Sequence, residues 1–140
     1  AAALLCESLP SIGDRSLRYR ALSRADVERH VHAVEDQHAL REMLQSQHLV
    51  AFVADDALLP RRAGNDDRPM QDQHLVRWQS PEALAVTVDL PHVGRIRGTG
   101  IPQGVTLIVG GGYHGKSTLL DAVARGVYNH IPGDGREFVA

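Results

Sequence analysis

The sequence lacks the features on which several protein classes depend. Cys6 is the only cysteine among 140 residues, so no disulfide can form within the chain, which is compatible with a reducing compartment and favours a cytoplasmic location. The longest apolar run, Leu49–Ala54, is too short to cross a membrane, and the first residues lack the basic start and long apolar core of a signal peptide. A net charge of −2 gives no general attraction to nucleic acid or to an acidic membrane. What remains is a soluble globular chain of one unit or two small ones.

The most informative segment is a glycine-rich loop at residues 110–117, where G-G-G-Y-H-G-K-S matches the phosphate-binding pattern G-x-x-x-x-G-K-S, or Walker A motif. Its glycines allow successive N–H groups to turn inward around an anion. Lys116 supplies a cation for the β- and γ-phosphates and is the predicted catalytic residue, while the Ser117 hydroxyl is the predicted Mg²⁺ ligand. The predicted nucleotide-binding residues are Gly110, Gly111, Gly112, Tyr113, His114, Gly115, Lys116, Ser117 and Thr118.

The segments on both sides of the loop strengthen this interpretation. Residues 105–109 are apolar or β-branched between two glycines, which predicts a buried strand. Residues 117–125 have a helical pattern that Gly126 ends. A plain glycine-rich turn before an ordinary helix is the alternative, but such a turn needs neither the lysine nor the serine.

Composition divides the chain into two predicted regions, residues 1–75 and 76–140. In the first, residues 2–9 predict a short helix ended by Pro10, and the capping box at 23–26 predicts a longer helix to about Gln47. Residues 49–54 predict a buried strand, and the charged stretch 55–71, with its prolines and glycine, predicts a loop or linker. The predicted apolar face of the longer helix comprises Val27, Val31, Val34, Leu40 and Leu44.

The second region begins with a predicted β-hairpin. Apolar residues alternate with smaller or polar ones over residues 84–89, the period of a half-buried strand. A turn at 91–94 leads to a predicted return strand at 95–98 and then to the strand before the loop.

A hairpin that leads into a strand and a G-K-S-T-L-L helix resembles the opening of an ATP-binding-cassette (ABC) nucleotide domain. Residues 104–138, including G-G-G-Y-H-G-K-S-T-L-L and Y-N-H-I-P-G-D-G-R-E-F, are more specifically similar to the soluble family described as predicted ATPases of the ABC class. The resemblance extends over residues 49–140. It implies an α/β, ABC-type P-loop NTPase fold, truncated here, with an N-terminal α+β region at 1–75.

The same resemblance implies a function. The chain would be the ATP-binding portion of an ATPase, a hydrolase that couples ATP binding and hydrolysis to conformational change, with ATP and Mg²⁺ as its ligands. Head-to-tail homodimers are implied as well, because in ABC proteins a partner subunit completes the site.

Two departures from ABC transporters are visible. Tyr113 and His114 replace the usual small pair in the loop, and no aromatic residue stands where adenine would stack; His92 is a weak candidate and Trp78 lies farther back. The Asp-Glu pair, glutamine loop, signature and switch histidine are not found after the loop. We therefore expect the N-terminal portion of a longer protein, inactive as an ATPase by itself.

Other patterns are weaker. His30 and His32 face different sides of a predicted helix, so a metal site with His38 is poorly supported. The surroundings of Asp134 in the sequence favour a turn residue over a carboxylate that faces the nucleotide. Two basic clusters favour solvated surface over contact with phosphate or RNA. A non-catalytic nucleotide-sensing or RNA-associated module stays open as the alternative function. The clusters comprise Arg15, Arg18 and Arg20, and Arg61 with Arg62.

Overall fold

The structure is a computed structural model that describes residues 2–72 and 74–140. Its contacts divide the chain into two units, Ala1–Val31 and His32–Ala140. None of the helices within the described ranges is both long and apolar enough to span a bilayer.

The first unit is helical. A π-helical turn at Leu4–Ser8 leads directly into helix α1 (Leu9–Ser16), so the prediction that Pro10 ends the helix is wrong. Pro10 lies directly after the π-helical turn, near the start of α1, and its fixed φ is compatible with helical backbone. A short 3₁₀ turn follows at Tyr19–Ala21.

Helix α2 (Arg24–Ser46) begins in the first unit and ends in the second. The predicted cap is confirmed, because the Asp26 N–H donates to the Ser23 hydroxyl at 3.4 Å. Of the predicted apolar face, Leu40 is fully buried, whereas Val31 is exposed. The capping signal therefore predicted the start of the helix correctly, whereas the apolar pattern predicted its buried face only in part.

A three-stranded antiparallel sheet forms the centre of the second unit. Its strands are β1 (Leu49–Ala54), β4 (Ala85–Leu90) and β5 (Gly94–Pro102), in the order β1-β5-β4. The predicted strand at 49–54 and the predicted hairpin are thus confirmed, although β5 runs four residues beyond Gly98. A further backbone pair lies along β1, where the Phe52 N–H donates to the Ala140 carbonyl at 2.7 Å.

Consecutive residues of β1 serve two different cores. Phe52 packs with Leu40 of α2, whereas Val53 packs with Ala122 of helix α3 (Lys116–Arg125). Because neighbouring side chains of a strand point to opposite faces, α2 and α3 cover opposite sides of the sheet. The sheet thereby fixes α3, the helix that follows the phosphate-binding pattern.

The charged stretch 55–71 contains structure that the sequence interpretation missed. Strands β2 (Arg61–Ala63) and β3 (Asp66–Pro69) form a two-stranded ribbon around a turn at 64–65. The prediction of a loop is wrong here, since Gly64-Asn65 is itself a hairpin signal. The charged residues of both strands lack the apolar alternation from which a strand is usually predicted.

Residues 105–109 do not form the predicted buried strand. Val105, Leu107 and Val109 are largely exposed, and no described residue pairs with them in a sheet. A strand that is apolar on both faces needs neighbours on both edges, and the described residues supply none. The sequence placed a boundary between two regions at residues 75 and 76, and β1 and β5 pair with each other from opposite sides of it. This boundary stays a prediction.

Candidate functional site

The glycine-rich loop leads into the N-terminus of α3, as the pattern predicts. Gly115 is the N-cap, with φ of 77°, a left-handed conformation that glycine adopts without steric cost. The Leu119 N–H donates to the Gly115 carbonyl at 2.9 Å and closes the first helical turn. The N–H groups ahead of it have no partner within the helix, and the helix dipole adds positive charge at the same end.

The side chain of Lys116 turns back over the loop. Its amino group donates to the Gly110 carbonyl at 2.7 Å and also to the Gly111 carbonyl. The lysine therefore lies on the inside of the loop and not on the outer face of α3. A cation in that position faces whatever the loop encloses.

Tyr113 and His114 are placed differently from each other. Tyr113 is fully exposed and has a φ of 61°, uncommon for a residue with a side chain. The His114 ring lies over Gly111, where an added Cβ would be 3.2 Å from Cε1 of the ring. His114 thus occupies space that a larger residue at 111 would need.

One side of the loop borders a groove of about 610 Å³, which we name the Trp78 groove. The Trp78 backbone is held by an N–H donated to the Ala57 carbonyl at 3.0 Å. Its indole N–H donates to the Thr99 hydroxyl at 2.9 Å. The residue is thus bonded at both its backbone and its indole, and its ring forms part of the groove wall. The other lining residues are Leu59, Pro60, Met70, Asp72, His74, Leu75, Val76, Arg77, Gln79, Tyr113, His114, Gly115, Thr118 and Leu119.

The sequence offered His92 as a weak candidate for adenine stacking, with a surface turn as the favoured interpretation, and Trp78 lay farther back. In the structure, the His92 ring stacks on His32 at 4.0 Å between ring centroids and contacts Glu35 of α2. Trp78 instead lines the same groove as loop residues 113–115, and its indole is bonded to Thr99 of β5. No spacing in the sequence reveals this neighbourhood, because it depends on tertiary packing.

The other groove at the start of α3 has a volume of about 440 Å³, and we name it the arginine groove. Ser117 and Thr118 line it from α3, and the β2–β3 ribbon lines it from the opposite side. Thr118 also borders the Trp78 groove, so the two grooves meet at the helix N-terminus. The remaining lining residues are Arg61, Arg62, Ala63, Gly64, Asp67, Met70, Asp121, Arg125 and Arg136.

Ion pairs join α3 to the ribbon beneath this groove. Arg125 donates to Asp121 at 3.0 Å and to Asp67 at 2.8 Å. Arg136 is 1% exposed, donates to the Leu59 carbonyl at 2.9 Å and reaches Asp121 at 3.0 Å. Partial burial raises the pKa of the Asp121 carboxyl, but the bonds from Arg136 and Arg125 lower it by more, so the pKa lies below its usual 3.8.

Two residues weighed as surface groups are partly buried here and paired with each other. The Arg61 side chain, 9% exposed, pairs with Asp134 at 2.6 Å, and Asp134 also accepts a bond from His130. Arg61 is thus unavailable to a nucleic acid, and Asp134 is unavailable as a free carboxylate. The described residues hold no cluster of three or more His, Cys, Asp or Glu suited to a metal ion.

Comparison with known proteins identifies the family. The family model of the ABC_ATPase P-loop domain matches residues 23–140. The chain belongs to the ABC_ATPase family. It is also similar to uncharacterized protein MJ1628 of Methanocaldococcus jannaschii, with 30% identity over 110 residues, 74% of this chain and 25% of that protein. The chain thus spans a quarter of the length of that relative. Membership indicates a P-loop and a nucleotide-binding function of ATPase type.

Proposed function

We propose that this ABC_ATPase chain is the ATP-binding part of an ATPase and that residues 110–118 hold the triphosphate. The observation that carries the proposal is the loop itself, which leads into the free end of α3 with Lys116 turned inward and a groove on each side. An anion there would meet unpaired N–H groups, a helix dipole and a lysine together.

The phosphates would take over the bonds that Lys116 makes to the loop. Its amino group now donates to the carbonyls of Gly110 and Gly111, which are neutral acceptors. Phosphate oxygens are charged acceptors and form shorter, stronger bonds. Nucleotide binding is therefore an exchange of partners that favours the phosphates.

The Ser117 hydroxyl suits the proposed magnesium site. Mg²⁺ prefers oxygen ligands and keeps several waters beside substrate phosphates, so the Ser117 hydroxyl would supply one of its protein ligands. Asp121 lies in the same groove, but Arg125 and Arg136 already occupy its oxygens. Bound Mg²⁺ would neutralise charge that develops on the transferred phosphoryl group, while Ser117 would hold it and Lys116 would orient the phosphate oxygens.

The Trp78 groove is the proposed place for the adenine and ribose. Its volume of about 610 Å³ falls in the usual range for small-molecule sites, and it begins at the loop residues that would hold the phosphates. An indole that is already hydrogen-bonded suits base stacking, since less side-chain entropy is lost when the base binds. The base would therefore pack against Trp78 and not against His92.

Catalysis, coupling to conformational change and a cytoplasmic homodimer complete the proposal. Lys116 would be the catalytic residue of this chain, acting by positioning and charge stabilisation. The carboxylate that positions the attacking water is not assigned here, because Asp121 and Asp134 are both held by arginines. We therefore expect the 140 residues alone to hydrolyse ATP no faster than their Lys116→Ala variant.

Titration with Mg-ATP tests the proposal in the protein at its natural length. Lys116→Ala should lower the affinity by roughly tenfold to several hundredfold, because it removes charge-assisted hydrogen bonds. Arg95→Ala is the matched control, since it removes one positive charge from an exposed residue of β5. Equal affinities of the wild type and the Lys116 variant would refute the phosphate-binding assignment.

Steady-state phosphate release separates the proposal from its alternative. An ATPase loses turnover with Lys116→Ala. A nucleotide-sensing or RNA-associated module would instead bind ATP in a Lys116-dependent manner without turnover above that of the variant, with or without added RNA.

A further inference from the structure

The arginine groove has an excess of positive charge, although the chain as a whole has a negative net charge. Its lining includes four arginines and two aspartates, whereas the whole chain has a net charge of −2. Like charges brought together in this way repel unless something anionic lies among them. The contacts of each arginine therefore decide whether the groove has charge left for a ligand.

Three of the four arginines are already engaged. Arg61 donates to the Asp134 carboxylate at 2.6 Å and to its carbonyl at 2.8 Å. Arg125 and Arg136 share Asp121, and each has a second acceptor within 3.0 Å. These side chains hold the walls of the groove together.

Arg62 differs from the other three. Its nearest acid is Asp66 at 3.9 Å, a long contact, and its side chain is 44% exposed. Asp66 is itself held by Arg68 through two bonds of 2.8 and 2.7 Å, which lower the pKa of Asp66 to about 2. The carboxylate of Asp66 is therefore already bonded to Arg68. The Arg62 guanidinium lines the groove at 3.9 Å from this carboxylate, too far for a hydrogen bond.

We propose that Arg62 binds the terminal phosphate of the nucleoside triphosphate held by residues 110–118, an inference that rests on the proposed function. Ser117 and Thr118 border the arginine groove from the helix side, so the groove lies next to the phosphate end of the proposed site and meets the Trp78 groove at Thr118. A guanidinium presents paired donors that match phosphate oxygens. Arg62 thereby distinguishes a triphosphate from a diphosphate.

Paired titrations with Mg-ATP and Mg-ADP test this in the protein at its natural length. Arg62→Gln should lower the affinity for Mg-ATP by about fivefold to tenfold, the loss of one half-exposed charge-assisted contact. The affinity for Mg-ADP should stay within about twofold, because ADP lacks the phosphate that Arg62 contacts. Arg62→Lys should restore part of the loss, and Arg95→Gln should leave both affinities unchanged.

The outcomes separate this inference from the function on which it rests. If Arg62→Gln binds Mg-ATP as the wild type does, or weakens Mg-ATP and Mg-ADP equally, then Arg62 does not contact the terminal phosphate and the inference is overturned. Lys116→Ala must weaken both nucleotides in the same experiment. If it weakens neither, the proposed function fails first.

Discussion

Gly98 of β5 shows how strictly close packing can limit the residue type at one position. A Cβ at this position would lie 2.3 Å from the Phe52 ring and 2.6 Å from the Val53 carbonyl oxygen. The ring could rotate away, but the carbonyl belongs to the backbone of β1 and cannot move without breaking the sheet. Any side chain at residue 98 must therefore separate the two strands.

We predict that Gly98→Ala lowers the free energy of unfolding by about 3 kcal/mol, at the upper end of overpacking costs. Gly64→Ala is the control, because nothing lies within 4 Å of its added Cβ; we expect it to change stability by less than about 0.5 kcal/mol. Urea unfolding of the two variants measures the difference. Similar values for both would show that β1 and β5 are not packed as described.

Single residues are most predictable where their surroundings are local. The Ser23 cap is confirmed at the start of α2. The Lys116 amino group lies against the loop, while its role in phosphate binding stays a prediction. The sequence did not indicate Trp78 or Arg62 as neighbours of the loop and of α3, because such positions depend on tertiary packing that no short pattern encodes.

At the scale of elements, Asp121 is the link between α3 and the β2–β3 ribbon. Its carboxylate accepts from Arg125, which also reaches Asp67, and from the buried Arg136. The pKa of Asp121 is lower in the folded chain than its ordinary 3.8. A carboxyl with a lowered pKa stabilises the fold above its ordinary pKa, and this contribution disappears as the pH falls through the folded value.

We therefore predict a pH-dependent effect of Asp121→Asn. At pH 7 the variant should be less stable than the wild type by about 1 kcal/mol, a modest value because the carboxyl is half exposed. The difference should begin to shrink as the pH falls through the ordinary 3.8, where the carboxyl of the unfolded chain takes up protons, and should disappear once the pH is below the folded pKa. Urea unfolding across this range measures it, with Asp89→Asn as an exposed control. A difference that stays constant with pH would mean that the charge of Asp121 is not what joins the two elements.

Elements with a clear period were predictable, and those without one were not. The alternation at 84–89 and the capping box at 23–26 led to β4 and to α2. The ribbon was not predicted because its strands are short and charged. The helix through Pro10 was not predicted because proline is usually a stop signal, although its fixed φ is itself compatible with a helix. The buried strand predicted at 105–109 is wrong for a different reason, since no described residue pairs with it.

At the scale of the whole molecule, residues 105–109 form an apolar segment without a sheet partner among the described residues. Val105 is completely exposed, and Leu107 and Val109 are largely exposed. The N–H groups of an exposed segment can bond to water, but contiguous exposed apolar side chains usually mark a contact surface. We predict that these amides exchange rapidly in the 140-residue chain and much more slowly in the protein at its natural length, where strands would pair with both edges. Hydrogen exchange with mass spectrometry measures this, with β5 as a segment protected in both. Equal exchange in the two proteins would contradict a wider sheet.

Trp78 also gives the chain an optical label. It is the only tryptophan among the 140 residues, and it lines a groove that begins at the glycine-rich loop. Its indole N–H is bonded to Thr99, and its emission depends on the polarity of the groove around it. The intrinsic fluorescence of this chain is therefore a direct monitor of the groove, without any dye or added probe.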